Sequence, residues 1–142
     1  MKNNFEAQFV PYEATKQVRN GTALILALHS DDEVIGCGEP NFWGIKDRTL
    51  EYNEKYIQMV SEQIDKLNPL SVYSPSVYEM HPDHKALALQ TIEAIRRSKN
   101  TPDLYMYEIG RAMLSLNYLL DIIDLWETKM SGINCFGSQM KI

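Results

Sequence analysis

Long hydrophobic runs, cysteines and basic clusters are scarce in this chain of 142 residues, and each shortage excludes a class of protein. The longest apolar run, Ala23 to Leu28, is far shorter than the ~20 residues that a membrane-spanning helix needs. The two cysteines, Cys37 and Cys135, are too few for a disulfide framework. Residues 1–6 contain no apolar stretch of the kind found in signal peptides. We therefore expect a cytoplasmic protein with no transmembrane segment.

Positive charge is also in short supply. The formal net charge is −5 and the sequence pI is about 5.2. A nucleic-acid-binding protein needs a basic stripe that neutralises phosphates, and the one short basic cluster here is Arg96-Arg97 with Lys99. That cluster follows a predicted helix, where cations complement the helix dipole. The charge pattern predicts no nucleic-acid partner and leaves homo-oligomerisation open.

Hydrophobic periodicity predicts strands and helices in alternation along one domain, residues 1–142, with residues 1–20 as a lead-in segment. Continuous apolar runs predict strands buried on both faces, and apolar residues at three- and four-residue steps predict helices. This order is typical of an α/β fold with a mainly parallel sheet flanked by helices. The predicted elements are a strand over Thr22–Leu28, a helix over Leu50–Leu67, a strand over Leu70–Tyr73, a helix over Ala86–Ile95, a strand over Leu104–Ile109, a further strand over Tyr118–Ile123 and a terminal helix from Trp126.

All three histidines follow the ends of predicted strands. His29 comes directly after the first strand, and His81 and His84 come a few residues after the second. Because ligands bind beyond the carboxyl ends of the strands in such sheets, we expect the three side chains at one edge.

These residue types can hold a divalent metal, most simply zinc. A catalytic zinc takes three protein ligands and keeps one position for water, and His29, Asp32 and His84 can supply the three. Asp31 could then accept the proton of the bound water. His81, as imidazolium, could stabilise an oxyanion or protonate a leaving amine.

Other interpretations of the same residues stay open. Asp31 or Asp32 could simply cap the next helix, although we favour the metal site because every histidine of the chain falls in these two segments. Glu33 and Asp83 could orient the ligands.

Cys37 could be a soft metal ligand, but small and apolar neighbours favour a core position for it, and Cys135 is interpreted in the same way. Tyr105 and Tyr107 could line a sugar pocket or merely project from a strand.

The two polar segments resemble the signature of the PIG-L/LmbE-type N-acetylglucosaminyl deacetylase family. His29-Ser30-Asp31-Asp32-Glu33, followed by a glycine-containing stretch, is similar to the family's first motif, and His81-Pro82-Asp83-His84 is its second motif intact. The resemblance implies a Rossmann-like fold, zinc or another divalent metal, and an amino-sugar substrate that loses its N-acetyl group by hydrolysis. By position it implies zinc ligands at His29, Asp32 and His84, a general base at Asp31, and an electrostatic or acid role for His81.

The chain departs from the family pattern most strongly near residues 39–42. Glu39-Pro40 runs almost directly into Phe42-Trp43-Gly44, where the family continues through at least one more strand and helix. This apparent internal deletion suggests an alternative function, a catalytically impaired or non-catalytic remnant that binds a metal or a sugar, or acts through a partner chain. A metal-dependent phosphoesterase is a third hypothesis, with Arg48 and Arg111 as its only scattered candidates for a phosphate clamp.

Overall fold

The computed structural model describes residues 21–28 and 43–135, together with the backbone of a short strand, β1 (Ala14–Thr15). Its contacts divide the chain into two units, one of residues 19–112 and one of residues 1–18 with 113–142. The expectation of a single domain over residues 1–142 stays a prediction. The proposed deletion near residues 39–42 lies outside the described residues.

The larger unit alternates strands and helices along the chain. Its elements are β2 (Ala23–Ile25), α1 (Glu54–Leu67), β3 (Ser71–Pro75), α2 (Pro82–Arg97) and β4 (Asp103–Tyr107). The three strands form a parallel sheet in the order β2–β3–β4, and a described helix lies between each pair of neighbouring strands along the chain, as parallel pairing requires. The prediction of an α/β fold with a mainly parallel sheet flanked by helices is confirmed.

The first helix is shorter than its hydrophobic pattern predicts. Asn53 caps α1, because its side-chain oxygen accepts a hydrogen bond from the backbone N–H of Tyr56 at 3.2 Å. Leu50 therefore belongs to the preceding loop, although it is buried as the pattern requires. The helix ends at Leu67, because Asn68 adopts the left-handed conformation with φ of 45°.

The core of this unit lies where α1 and α2 pack together against β3. Ile57, Val60 and Ile64 form the buried face of α1 at three- and four-residue steps. Val72 contributes from the centre of β3, and Leu87 from α2. This packing fixes the amino end of α2 at the carboxyl end of the sheet, where the two described histidines lie.

The first strand of the sheet is less buried than predicted. Within β2, Ala23 is exposed and Leu24 and Ile25 are partly buried, because β3 is the strand that pairs with it among the described residues. The pairing continues beyond the strand, since the Leu26 N–H donates to the carbonyl of Tyr73 at 2.9 Å.

The smaller unit contains a two-stranded parallel pair, β1 with β5 (Leu119–Leu120), then a short 3₁₀ helix and α3 (Trp126–Asn134). Part of the predicted lead-in segment is thus paired as a strand. The core position expected for Cys135 is wrong. Cys135 is exposed, because it ends α3, a helix with no buried residue among those described.

Candidate metal centre

The two histidines of the second motif lie at the start of α2, just beyond the carboxyl end of β3. Pro82 occupies the first turn, and His81 is the N-cap, with its Nδ1 accepting a hydrogen bond from the Asp83 N–H at 3.3 Å. His84 lies one helical turn along, and the two imidazole rings are 4.9 Å apart between centroids. Sequence reasoning predicted that these histidines would lie together at the sheet edge, and the structure brings them there.

Asp83 holds the loop of residues 43–50 against the amino end of α2 by hydrogen bonds. Its two carboxylate oxygens accept hydrogen bonds from the backbone N–H groups of Arg48, at 2.7 Å, and Leu50, at 3.2 Å. Asp83 is 2% exposed, so these main-chain donors satisfy a charge that is costly to bury alone. The Asp83 carboxylate therefore contacts the loop of residues 43–50. The sequence suggested that Asp83 orients a metal ligand, and that role stays a prediction.

The loop held by Asp83 brings a second carboxylate to the site. Asp47 Oδ1 lies 3.3 Å from His81 Nε2, on the exposed side of the helix end. Arg48, next to it, adopts the left-handed conformation with φ of 61°, a backbone state that costs a non-glycine residue energy and is common at functional sites.

Asp47, His81 and Asp83 could together bind a metal ion. One ligand atom from each lies within 4.8 Å of the others, and carboxylate oxygen with imidazole nitrogen is a donor set that divalent metals accept. Sequence reasoning assigned no role to Asp47, because its proximity to His81 depends on a loop that is remote in the chain.

A third carboxylate, Glu79, lies behind His84. Glu79 Oε2 is 3.7 Å from His84 Nδ1, and both residues are buried. The same carboxylate accepts hydrogen bonds from the N–H groups of Ile109 and Gly110. Glu79 was also missed from the sequence, although its position two residues before the His-Pro-Asp-His motif was a usable signal.

Several predicted site residues fall in the segment of residues 29–42, which the structure does not describe. His29, Asp31 and Asp32 lie outside the described residues, so their roles as ligands and base stay predictions. The same holds for Glu33 and Cys37.

The two tyrosines of β4 make contacts within the sheet. Tyr105 stacks on Tyr73 with ring centroids 5.2 Å apart. The Tyr107 hydroxyl donates to the carbonyl of Leu26 at 2.7 Å and so ties β4 to the end of β2. Arg48 and Arg111, the candidates for a phosphate clamp, are both exposed.

Comparison with known proteins supports the fold at low sequence identity. The chain matches no family model and no curated protein sequence. A conserved protein from Thermus thermophilus is similar with a TM-score of 0.60 at 20% identity, over 68% of this chain and 48% of that one. An N,N′-diacetylchitobiose deacetylase from Pyrococcus horikoshii is similar with a TM-score of 0.55 at 25% identity, over 68% of this chain and 42% of that one.

The chain thus spans less than half the length of these two solved structures. The α/β fold and the candidate metal site of this chain are consistent with its likeness to the deacetylase. Among the described residues, each helix is too short or too polar to cross a bilayer.

Proposed function

We propose that this chain is a metal-dependent deacetylase that hydrolyses the N-acetyl group of an amino sugar or sugar conjugate. The observation that supports it most is the pair His81 and His84 at the carboxyl edge of a parallel sheet, with one nitrogen of each ring beside a carboxylate. Similarity to the diacetylchitobiose deacetylase adds the class of reaction.

The proposed metal is zinc, held by His29, Asp32 and His84. Two imidazoles and one carboxylate are a donor set found at catalytic zinc sites, and another divalent metal could take the same ligands. When bound, the metal would act as a Lewis acid and lower the pKa of a water ligand towards ~7.

In the proposed reaction, Asp31 removes the proton from the attacking water, and the water oxygen bonds to the acetyl carbonyl carbon. The C–N bond then breaks, so that acetate and a free amine are the products. As imidazolium, His81 donates a proton to the leaving nitrogen from Nε2, the ring nitrogen that lies beside Asp47.

An assay of acetate release tests this proposal directly. N,N′-diacetylchitobiose and N-acetylglucosamine conjugates are incubated with the full chain and added zinc, beside the variants Asp31→Ala and His84→Ala. We expect release by the wild type and a loss of at least 100-fold in each variant. Zinc binding without acetate release from any of these amino sugars would overturn the proposal.

The alternative is a metal- or sugar-binding remnant without turnover. The apparent internal deletion near residues 39–42 supports it, since a missing strand and helix would remove part of a substrate pocket. Saturable binding of the amino sugars with no acetate released would favour the remnant over the enzyme.

A cytoplasmic location is proposed on the sequence alone, and oligomeric state stays open.

A further inference from the structure

We infer that Glu79 is a positioning residue for His84, holding the imidazole so that its Nε2 is the nitrogen presented to a metal. The inference rests on the proposed role of His84 as a ligand. It adds a carboxylate that the sequence motifs do not include, and it assigns each ring nitrogen of His84 a separate task.

The first step is that Glu79 is held rigidly. Its Oε1 accepts the Ile109 N–H at 2.8 Å, and its Oε2 accepts the Gly110 N–H at 3.0 Å. These donors come from the segment that directly follows β4, so the carboxylate is tied to a neighbouring strand. A side chain with both oxygens bound to main chain loses nearly all its rotamer freedom.

The second step is that Glu79 stays ionised in spite of its burial. Both of its oxygens accept hydrogen bonds from main-chain N–H groups, of Ile109 and Gly110, and such hydrogen bonds favour the charged form of a carboxyl. The side chain is 1% exposed, so its negative charge acts through protein and is weakly screened by salt.

The third step concerns the ring that faces this charge. Glu79 Oε2 lies 3.7 Å from His84 Nδ1, a separation within ion-pair range but longer than a hydrogen bond. A fixed negative charge at this end of the ring stabilises a proton on Nδ1. The neutral ring then has its lone pair on Nε2, the form in which a histidine backed by a carboxylate binds zinc.

His81 provides an internal contrast. Its Nδ1 accepts the Asp83 N–H, which requires that nitrogen to be unprotonated in the neutral ring. The two histidines are therefore expected to be opposite tautomers, His84 with Nδ1–H and His81 with Nε2–H.

The tautomers can be measured in the wild-type chain by long-range ¹H–¹⁵N correlation spectroscopy after chelation of metal, at a pH where the rings are neutral. We expect protonated Nδ1 in His84 and protonated Nε2 in His81. In Glu79→Gln we expect His84 to shift towards the Nε2–H form while His81 is unchanged. Protonated Nε2 in wild-type His84 would overturn the inference without any variant.

Zinc affinity gives the second readout, by competition with a chromophoric chelator. Loss of a carboxylate behind a ligating histidine typically weakens metal binding by about 10- to 100-fold, and we expect this of Glu79→Gln. Glu93→Gln is the matched control, because Glu93 lies on the same helix as His84 but pairs with Arg96 and Arg97. Its zinc affinity should equal that of the wild type.

The outcomes separate this inference from the proposed function. Tight zinc binding by the wild type and equal binding by Glu79→Gln would overturn the inference alone. Failure of the wild type to bind zinc would overturn both.

Discussion

Two carboxylate–histidine pairs lie one helical turn apart in this protein, and they differ mainly in exposure. In the Glu79–His84 pair the side chains are 1% and 6% exposed, whereas in the Asp47–His81 pair they are 60% and 24% exposed. Glu79 is tied to main chain beyond β4, and Asp47 comes from a loop. The Glu79–His84 pair is therefore buried within the fold, and the Asp47–His81 pair lies at its surface.

The difference in exposure suits the two pairs to different tasks. A metal ligand must keep its geometry, which a buried and fully hydrogen-bonded partner ensures. A residue that exchanges protons with substrate needs access, which the surface pair allows. We therefore expect changes at Glu79 to act on metal affinity, and changes at Asp47 to act on turnover.

The largest change in the free energy of unfolding is expected at Asp83, whose carboxylate binds the loop that carries Asp47. Asp83→Ala leaves the N–H groups of Arg48 and Leu50 without their buried charged acceptor, and hydrogen bonds to charged groups are worth about 1.5–3 kcal/mol each. The free energy of unfolding in urea should fall by about 3 kcal/mol. Asp83→Asn keeps one acceptor oxygen and should lose less. A change below about 1 kcal/mol in the alanine variant would show that the loop is held by other contacts.

An intermediate effect is expected at Asp47, and it concerns activity. Asp47→Ala removes the carboxylate beside His81 Nε2, an exposed pair worth at most about 1 kcal/mol, so kcat/KM for acetate release should fall by up to about fivefold. Zinc affinity should not change.

The dependence of activity on ionic strength gives a second test of the Asp47 prediction. At high ionic strength the difference between Asp47→Ala and the wild type should shrink, because exposed charges are screened. The loss of zinc affinity in Glu79→Gln should persist under the same conditions. A loss of zinc affinity in Asp47→Ala would instead locate the metal between Asp47, His81 and Asp83.

The elements that sequence reasoning predicted are those determined by local pattern. The stripe over Ile57, Val60 and Ile64 predicts α1, and the apolar positions from Ala86 to Ile95 predict most of α2. The hydrophobic pattern predicted that Leu50 belongs to the helix, because Leu50 is buried like the helix residues. A buried position can lie in a loop that packs on the same core, so burial alone does not identify a helix.

The site residues that sequence reasoning missed depend on contacts between distant segments. Glu79 acquires its role from N–H groups of Ile109 and Gly110, which lie 30 and 31 positions away and which no periodicity reports. Asp47 reaches His81 because its loop is held against α2, in part by the carboxylate of Asp83. Cys135 was expected in the core from its small and apolar neighbours, but composition does not show whether a terminal helix is covered.

The smallest effect is expected at Glu93, which lies outside both pairs. Hydrogen bonds from Arg96, and then from Arg97, lower the pKa of the Glu93 carboxyl from an ordinary 4.5 to about 2. Because the folded-state pKa is depressed, its stabilising contribution is complete above about pH 4.5 and is lost as the pH falls towards 2. Glu93→Gln should therefore be slightly less stable than the wild type at about pH 7 and equal to it near pH 2, by thermal unfolding. A constant difference across that range would contradict this ion-pair account.

The central claim is that His84 ligates the metal, and zinc stoichiometry with affinity in the wild type and His84→Ala tests it most directly. The account predicts one tightly bound zinc per wild-type chain and a loss of affinity of at least about 100-fold in His84→Ala, with His81→Ala retaining the metal. Equal zinc binding by the wild type and His84→Ala would contradict it.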